Sequence, residues 1–165
     1  MVGAGPGDPG LITVRGWEIL RSADAVVYDR LVSKELLKAC PGRAHRYDVG
    51  KIPGRQTISQ DEINALLIRL ARLGARVVRL KGGDPYVFGR GSEEALALTG
   101  AGVAWEEVPG VSAAIAAAAY AGIPVTHRGV AESFAVLTGH DGLNRQRVAD
   151  ADTLVILMGI AHLRE

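Results

Sequence analysis

Short apolar runs alternate with longer amphipathic stretches along this chain. Residues 25–28 form a continuous apolar run, which is typical of a strand buried on both faces of a parallel sheet. Residues 59–73 instead place leucine and isoleucine at helical spacing, behind a Ser59 and Glu62 pair that predicts a capping box. This alternation of strands and helices predicts an α/β fold.

The remaining elements follow from the same patterning. After a short strand at the start, further strands are predicted over residues 46–49, 76–80, 104–108, 134–138 and 153–157. Further helices are predicted over residues 11–21, 33–39, 91–98 and 111–120. Residues 122–128 have turn composition and predict a hinge, so we expect one α/β lobe over residues 1–122 and a second over residues 123–165. Because the chain stops soon after a strand, we expect the second lobe to be incomplete.

The composition argues against several classes of function and partner. The 165 residues carry 19 Lys and Arg against 18 Asp and Glu, so no global basic field indicates nucleic-acid binding. No apolar run approaches the roughly 20 residues that cross a bilayer, so no membrane partner is expected. A single cysteine, Cys40, excludes an intramolecular disulfide and a cysteine zinc cage, and it is compatible with a reducing cytoplasm. The four histidines show no metal-ligand spacing, so no metal is expected.

The sequence GAGPGD at residues 3–8 is similar to a dinucleotide-binding loop but departs from it in two ways. Asp8 stands where the third glycine is required and would repel a pyrophosphate. Pro6 lacks an amide that could donate to phosphate. The interpretation is a tight loop close to a ligand of little negative charge, with an ordinary strand-to-helix turn as the alternative.

A second glycine-rich loop, KGGDPYVFGRG at residues 81–91, follows a predicted strand. Gly82 and Gly83 would let a ligand touch the backbone, because no Cβ intervenes. Asp84 stands at the carboxyl end of a parallel strand, where open α/β sheets bind ligands. The alternative is a helix cap and a turn.

Residues 108–114, VPGVSAA, open a predicted helix with small side chains. These small side chains indicate either space for a planar group or close packing of the helix.

Two further charged residues stand directly after predicted strands. Asp29 is a candidate general base, with a helix cap or an ion pair to Arg30 as the alternative. Lys51 is a candidate cation, with a solvated surface group as the alternative.

Taken in chain order, these segments resemble the tetrapyrrole (corrin/porphyrin) methylase family. The segments that carry the resemblance span nearly the whole chain and are VGAGPGDP at 2–9, AVVYDRLVS at 25–33, VGK at 49–51, VVRLKGGDP at 77–85, VFGRG at 87–91, VPGVSAA at 108–114 and YAGIPVTHR at 120–128. The resemblance implies a two-lobe α/β enzyme with its active site in the cleft between the lobes, usually a homodimer.

The resemblance also implies a reaction. The expected donor is S-adenosyl-L-methionine, leaving S-adenosyl-L-homocysteine, and the expected acceptor is uroporphyrinogen III, methylated twice to precorrin-2 on the route to sirohaem and cobalamin. By the resemblance, Asp29 would be the proton acceptor and Lys51 the proton donor. Ser112 stands where the family usually has threonine. The residues that would contact the donor are Pro6, Gly82, Gly83, Asp84, Val87, Ser112, Ala113 and Met158.

An acceptor with eight carboxylates requires a local basic set, despite a net charge of +1. The candidates are Arg15, Arg30, Lys51, Arg90 and Arg128. Four alternatives stay open: a family member that methylates a later corrin precursor, one that acts on a diphthine-type protein substrate, a non-catalytic dinucleotide-binding module, and an inactive donor-binding or dimerisation fragment.

Overall fold

The structure is a computed structural model that describes residues 1–50, 58–140 and 150–160. It divides into two compact units, Met1–Ser112 and Ala113–Glu165. Each unit contains parallel strands and at least one helix, as the α/β patterning predicts. The division assigns the helix at Ala113–Tyr120 to the second unit, and the lobe boundary at residue 122 stays a prediction.

The first unit is built on a four-stranded parallel sheet. Its strands are β1 (Val2–Gly3), β2 (Ala25–Tyr28), β3 (His45–Asp48) and β4 (Val77–Lys81), in the spatial order β1-β4-β2-β3. The predicted strands at residues 25–28, 46–49 and 76–80 are confirmed to within one residue. Parallel strands need crossover connections, and helices supply them here.

Most helices of the first unit begin just after a residue whose side chain caps them, whereas Arg90, before the last of these helices, makes no side-chain capping hydrogen bond. They are α1 (Val14–Leu20), α2 (Lys34–Lys38), α3 (Gln60–Arg72) and α4 (Gly91–Gly100). The capping box is confirmed, because Ser59 and Glu62 each accept from the other's backbone amide. The predicted helix over residues 11–21 is two pieces instead. A 3-10 turn at Pro9–Leu11 is capped by Asp8, and Thr13 then caps α1.

Apolar side chains cover both faces of this sheet. One cluster packs on the side of α1 and α2, and includes Val2, Leu20, Val26, Leu36, Val78, Leu80 and Val108. The other packs on the side of α3 and α4, and includes Ala25, Val27, Ile63, Leu67, Leu70 and Leu98. Successive residues of β2 and β4 serve opposite faces, as the pleat of a strand requires. The sheet is therefore a rigid platform from which its loops project.

The predicted strand at residues 104–108 is wrong in this structure. Only Val108 pairs, in a parallel bridge to Val2. The Met1 ammonium donates to the Glu106 carbonyl beside this bridge, but residues 104–107 belong to no strand among the described residues. The apolar pattern identified the segment as sheet-like, but a strand also needs a partner elsewhere in the chain.

The second unit contains α5 (Ala113–Tyr120) and the parallel pair β5 (Phe134–Thr138) and β6 (Thr153–Leu157). Both predicted strands are confirmed at their stated bounds, whereas the helix predicted over 111–120 begins two residues later. Leu154 and Ile156 of β6 leave 44% and 41% of their surface exposed, so one face of this small sheet is uncovered within the described residues. No helix in the described parts of the chain is long and apolar enough to cross a bilayer.

Three loops of the first unit touch through their backbones at Gly3, Gly83 and Gly110, which we call the glycine junction. A Cβ at Gly3 would lie 2.5 Å from the Gly110 Cα and 2.8 Å from the Gly83 carbonyl oxygen. A Cβ at Gly110 would lie 2.7 Å from the Gly3 Cα. No side chain fits between these segments, and Gly83 additionally has a φ of 66°, which L side chains rarely adopt.

We expect Gly110→Ala to destabilise the chain by about 1–3 kcal/mol, because the added methyl forces three backbone segments apart. Gly42→Ala is the matched control, since nothing lies within 4 Å of its Cβ position. The control should change the free energy of unfolding by less than about 0.5 kcal/mol. Urea denaturation of both variants measures the difference, and equal values for the two would contradict the steric account of the junction.

We expect Glu107→Gln to stabilise the chain at pH 8 and to have little effect at pH 4.5. Both carboxylate oxygens of Glu107 are buried without a hydrogen-bond partner, and burial raises the pKa of this group to about 7 from its ordinary 4.5. The folded state therefore holds a proton that the unfolded state has released, and stability falls as pH rises from 4.5 through 7. Glu107→Gln has no carboxyl group to titrate at this position, so the stability of the variant should not fall over this pH range.

Melting temperatures at the two pH values test this expectation. The matched control is Glu106→Gln, because Glu106 is the exposed neighbour and pairs at 3.3 Å with the exposed Arg15. An exposed pair of this kind contributes little and gives no comparable pH trend. A Glu107→Gln shift of the same size at pH 4.5 and pH 8 would show that the buried charge is not the cause.

Candidate functional site

The loops at the carboxyl ends of β1 and β4 are joined by backbone hydrogen bonds. The Gly83 amide donates to the Gly5 carbonyl at 2.7 Å, and the Gly5 amide donates to the Gly83 carbonyl at 3.2 Å. The Ala4 amide also donates to the Lys81 carbonyl at 2.7 Å. Pro6 follows this pair directly, so the structure brings Pro6, Gly82 and Gly83 to one edge of the sheet.

Asp84 ties a third loop to this edge. Its Oδ1 accepts from the Tyr86 amide at 2.8 Å, and its Oδ2 accepts from the Gly110 amide at 3.0 Å. The Val87 amide donates to the Asp84 carbonyl at 3.2 Å, which fixes Val87 in the same turn. A carboxylate offers about four acceptor sites, so two hydrogen bonds leave Asp84 with capacity for a ligand. The sequence predicts Asp84 as a ligand residue, which stays a prediction, and gives no sign of its bond to Gly110.

Asp8 has a local function at the glycine-rich loop after β1. Its Oδ1 accepts from the Gly10 amide at 2.7 Å and so caps the 3-10 turn at Pro9–Leu11. In dinucleotide-binding folds the amides at this position receive the pyrophosphate. Here the Asp8 carboxylate already accepts from one of these amides and adds a negative charge, which favours a ligand without phosphate groups at this loop.

Asp29 stands at the carboxyl end of β2, beside the loop after β4. Its Oδ1 accepts from the Leu31 amide at 3.1 Å, and its Oδ2 lies 3.8 Å from Arg79 Nη1. Its side chain keeps 27% of its surface exposed, so a substrate could reach it. Leu31 packs against Gly82, where a Cβ would come within 2.7 Å of the Leu31 Cβ. The ion pair forms with Arg79 rather than with Arg30, the partner considered from the sequence.

The other expected site residues are spread over both units. Ser112 is the last residue of the first unit, whereas Ala113 opens α5 and Met158 follows β6 in the second unit. Met158 is half exposed and has a φ of 59°, a left-handed conformation that turns the chain sharply after the strand. Lys51 lies outside the described residues.

Two of the candidate basic residues have acidic partners of their own. Arg15 pairs with Glu106 beside the amino-terminal ends of β1 and β4, away from the edge that carries Asp84. Arg90 forms a two-pronged pair with Glu93, with both nitrogen–oxygen distances at 2.7 Å. Arg30 and Arg128 are exposed. Their role toward an anionic acceptor stays a prediction.

The sequence analysis missed a buried group of charges, Arg79, Lys81 and Glu94, which we call the buried ion network. Arg79 Nε and Lys81 Nζ donate to the same oxygen of Glu94, at 3.1 and 2.9 Å. Burial lowers the pKa of Lys81, and the Arg79 charge lowers it further. Two charged residues alternating with apolar ones along β4 were the signal that could have identified this network.

No group of three histidine, cysteine or acidic side chains in the described parts of the chain is arranged to hold a metal ion. The chemistry available at this edge is therefore that of backbone amides and carbonyls, the Asp84 and Asp29 carboxylates, and the apolar surface of Val87. Such a set can bind hydroxyl groups and a cation, and it can accept a proton.

Comparison with known proteins identifies relatives over nearly the whole chain. It is 51% identical to a uroporphyrinogen-III C-methyltransferase of Methanocaldococcus jannaschii, covering 99% of this chain and 70% of the relative. It is 50% identical to siroheme synthase 1 of Yersinia enterocolitica, covering all of this chain and 36% of the relative. The chain thus spans about two thirds of the former and about one third of the latter.

Solved structures agree with these relatives. A uroporphyrin-III C-methyl transferase from Thermus thermophilus in complex with S-adenyl homocysteine superposes with a TM-score of 0.82 at 44% identity, covering 98% of this chain and 69% of that one. A cobalt precorrin-4 methyltransferase superposes with a TM-score of 0.72 at 36% identity, covering 83% of this chain and 55% of that one. These matches confirm the α/β fold class.

The protein family described as Tetrapyrrole (Corrin/Porphyrin) Methylases matches residues 1–165, which is the whole of this sequence. Combined with relatives about 50% identical and with the loops that meet at the glycine junction, this match confirms the resemblance found in the sequence. The chain belongs to the tetrapyrrole methylase family.

Proposed function

We propose that this chain carries out S-adenosylmethionine-dependent C-methylation of uroporphyrinogen III, with two methyl transfers that give precorrin-2. The observation that carries the proposal is about 50% identity to uroporphyrinogen-III C-methyltransferases over 99% of the chain. Likeness to the cobalt precorrin-4 methyltransferase is lower in both identity and TM-score, so a later corrin precursor is the second candidate acceptor.

The donor-binding role is assigned to Pro6, Gly82, Gly83, Asp84, Val87, Ser112, Ala113 and Met158. The first four lie in loops that the Gly5–Gly83 hydrogen bonds and the glycine junction hold together. S-adenosylmethionine carries no phosphate, which fits a loop whose helical amides are already capped by Asp8. Its ribose hydroxyls and its sulfonium cation suit the spare acceptor capacity of Asp84 and the nearby backbone carbonyls.

The donor supplies an electrophilic methyl group on a positively charged sulfur. Methyl transfer forms a bond from that carbon to an electron-rich ring carbon of the acceptor and breaks the bond to sulfur, which leaves as neutral S-adenosylhomocysteine. The acceptor then carries an extra positive charge and must release a proton. We assign Asp29 as the proton acceptor, because it is a partly exposed carboxylate at the same edge as Asp84. By the family resemblance alone, Lys51 is assigned as the proton donor.

The chain's own contribution to rate is orientation. Rigid loops that hold the methyl group in line with the ring carbon convert a bimolecular encounter into a positioned reaction. Each loop at this edge is fixed by backbone bonds or by a carboxylate bond rather than by flexible side chains. The bonds from Asp84 to the Tyr86 and Gly110 amides therefore serve binding and positioning together.

We also propose that the protein acts as a homodimer in the cytoplasm, in the pathways to sirohaem and cobalamin. The family resemblance supports the dimer, and analytical ultracentrifugation tests it. The single cysteine, Cys40, is compatible with a reducing compartment.

Calorimetric titration with S-adenosylhomocysteine tests donor binding, with NAD as the control ligand. We expect binding of the former and none of the latter. Asp84→Ala should weaken binding about 10- to 100-fold, because hydrogen bonds to a charged group are lost. Glu18→Ala, at an exposed position on α1, is the matched control and should bind as the original chain does. Binding of NAD alone would favour the dinucleotide-binding alternative.

Asp29→Asn should leave the Kd for S-adenosylhomocysteine unchanged and lower kcat by about 100- to 10,000-fold, the range for loss of a general base. The assay follows a labelled methyl group from S-adenosylmethionine into uroporphyrinogen III. Asp61→Asn, an exposed change in the first turn of α3, is the control. Equal loss of binding and turnover in Asp29→Asn would mean that Asp29 has a structural role and does not accept the proton.

A further inference from the structure

Three charged side chains of the first unit are almost completely buried. Arg79 is 5% exposed, Lys81 is 3% exposed and Glu94 is fully buried. Removing charges from water is unfavourable unless geometry and hydrogen bonding compensate for it, and apolar residues of the same size often serve stability as well. The position of this network, under the edge that carries Asp29 and Asp84, suggests that it serves the site.

Glu94 is the centre of the buried ion network. Its Oε1 accepts from Arg79 Nε at 3.1 Å, from Lys81 Nζ at 2.9 Å and from Gln60 Nε2 at 3.3 Å. The donors come from β4 and the start of α3, whereas Glu94 itself stands in the first turn of α4. Glu94 therefore fixes the guanidinium of Arg79 relative to two helices at once.

The other side of the Arg79 guanidinium is directed at the end of β2. Its Nη1 donates to the Val27 carbonyl at 3.4 Å and to the Leu80 carbonyl at 3.2 Å, and it lies 3.8 Å from Asp29 Oδ2. Asp29 Oδ1 meanwhile accepts from the Leu31 amide. The carboxylate of Asp29 thus lies between a backbone amide that donates to it and a buried guanidinium 3.8 Å away.

The charges of this group balance only when Asp29 is counted. Arg79 and Lys81 carry two positive charges, and Glu94 supplies one negative charge in contact with both. Asp29 supplies the second negative charge at the rim, and its charge also acts on Lys81. Glu107, which acts on Lys81 from the neighbouring segment, makes no hydrogen bond to the network. The negative charge of Asp29 therefore compensates the positive charge that Glu94 leaves unbalanced on Arg79 and Lys81.

We propose that Arg79 is a positioning residue for Asp29, anchored by Glu94 and by two backbone carbonyls. It fixes the direction in which the Asp29 carboxylate faces the acceptor. Arginine suits this role because its planar fork reaches Glu94, the carbonyls and Asp29 together, whereas the single ammonium of lysine cannot. The inference rests on the proposed function of Asp29 as proton acceptor.

A double-mutant cycle in the methyl-transfer assay tests the proposal. Arg79→Met should lower kcat about 10- to 100-fold, as displacement of a catalytic group does, with the Kd for S-adenosylhomocysteine unchanged. Arg79→Lys should recover only part of that loss. Added to Asp29→Asn, the Arg79→Met change should cost nothing further, because its effect passes through Asp29. Independent, multiplying losses would overturn the proposal.

Amide hydrogen exchange at Leu31 gives a second readout that needs no turnover. Arg79→Met should speed exchange at Leu31, as Asp29→Ala should by removing the acceptor of this amide, while exchange at Val26 within β2 stays unchanged. Because Arg79→Met leaves Glu94 buried without one partner, Arg79→Met with Glu94→Gln is measured beside it, and a matching Leu31 effect in both excludes misfolding. Unchanged Leu31 exchange in both variants would overturn the proposal.

The two proposals can fail separately. If Asp29→Asn turns over normally, Asp29 is not the proton acceptor and the proposed function of this residue fails. A second outcome is that Asp29→Asn lowers kcat, Arg79→Met lowers kcat independently of Asp29→Asn, and exchange at the Leu31 amide is unchanged. In that case only the positioning role of Arg79 fails.

Discussion

Backbone touches backbone at Gly3, Gly83 and Gly110, and the geometry of this edge of the sheet depends on that contact. With no Cβ between them, the loops after β1 and β4 approach closely enough to exchange hydrogen bonds through Gly5 and Gly83. The same closeness lets Asp84 reach the Gly110 amide. A site made of backbone atoms is rigid because it has no rotamers to lose, and rigid placement is what methyl transfer between two bound molecules requires.

The charged side chains at this edge of the sheet differ in burial from those of the buried ion network. Asp84 and Asp29 are partly exposed and each has at least one oxygen fixed by an amide, so they can meet a ligand without reorganising. Beneath them, Glu94 holds two cations in a dry environment where electrostatic interactions are strong. The unfavourable burial of these charges is understandable if they support the carboxylate above them rather than the fold alone.

The departures from a dinucleotide-binding loop now have a physical explanation. Asp8 caps a 3-10 turn by accepting from the Gly10 amide, and its negative charge would repel a phosphate there. Pro6 follows Gly5 at the edge where the loops from β1 and β4 join. A loop with glycines but without phosphate chemistry suits a ligand that carries no phosphate, and S-adenyl homocysteine, bound by the solved relative from Thermus thermophilus, is such a ligand.

The sequence by itself determined the elements whose causes are local. The capping box at Ser59 fixed the start of α3, and the apolar runs fixed β2, β5 and β6, because periodicity and capping act within a few residues. The motifs likewise determined the family. Only the tertiary structure decided that residues 104–107 form no strand, since a strand needs a partner from another part of the chain. It also decided that Arg79 pairs with Asp29 and Glu94, and that Asp84 binds Gly110, because these partners are distant in the sequence and meet only once the sheet has formed.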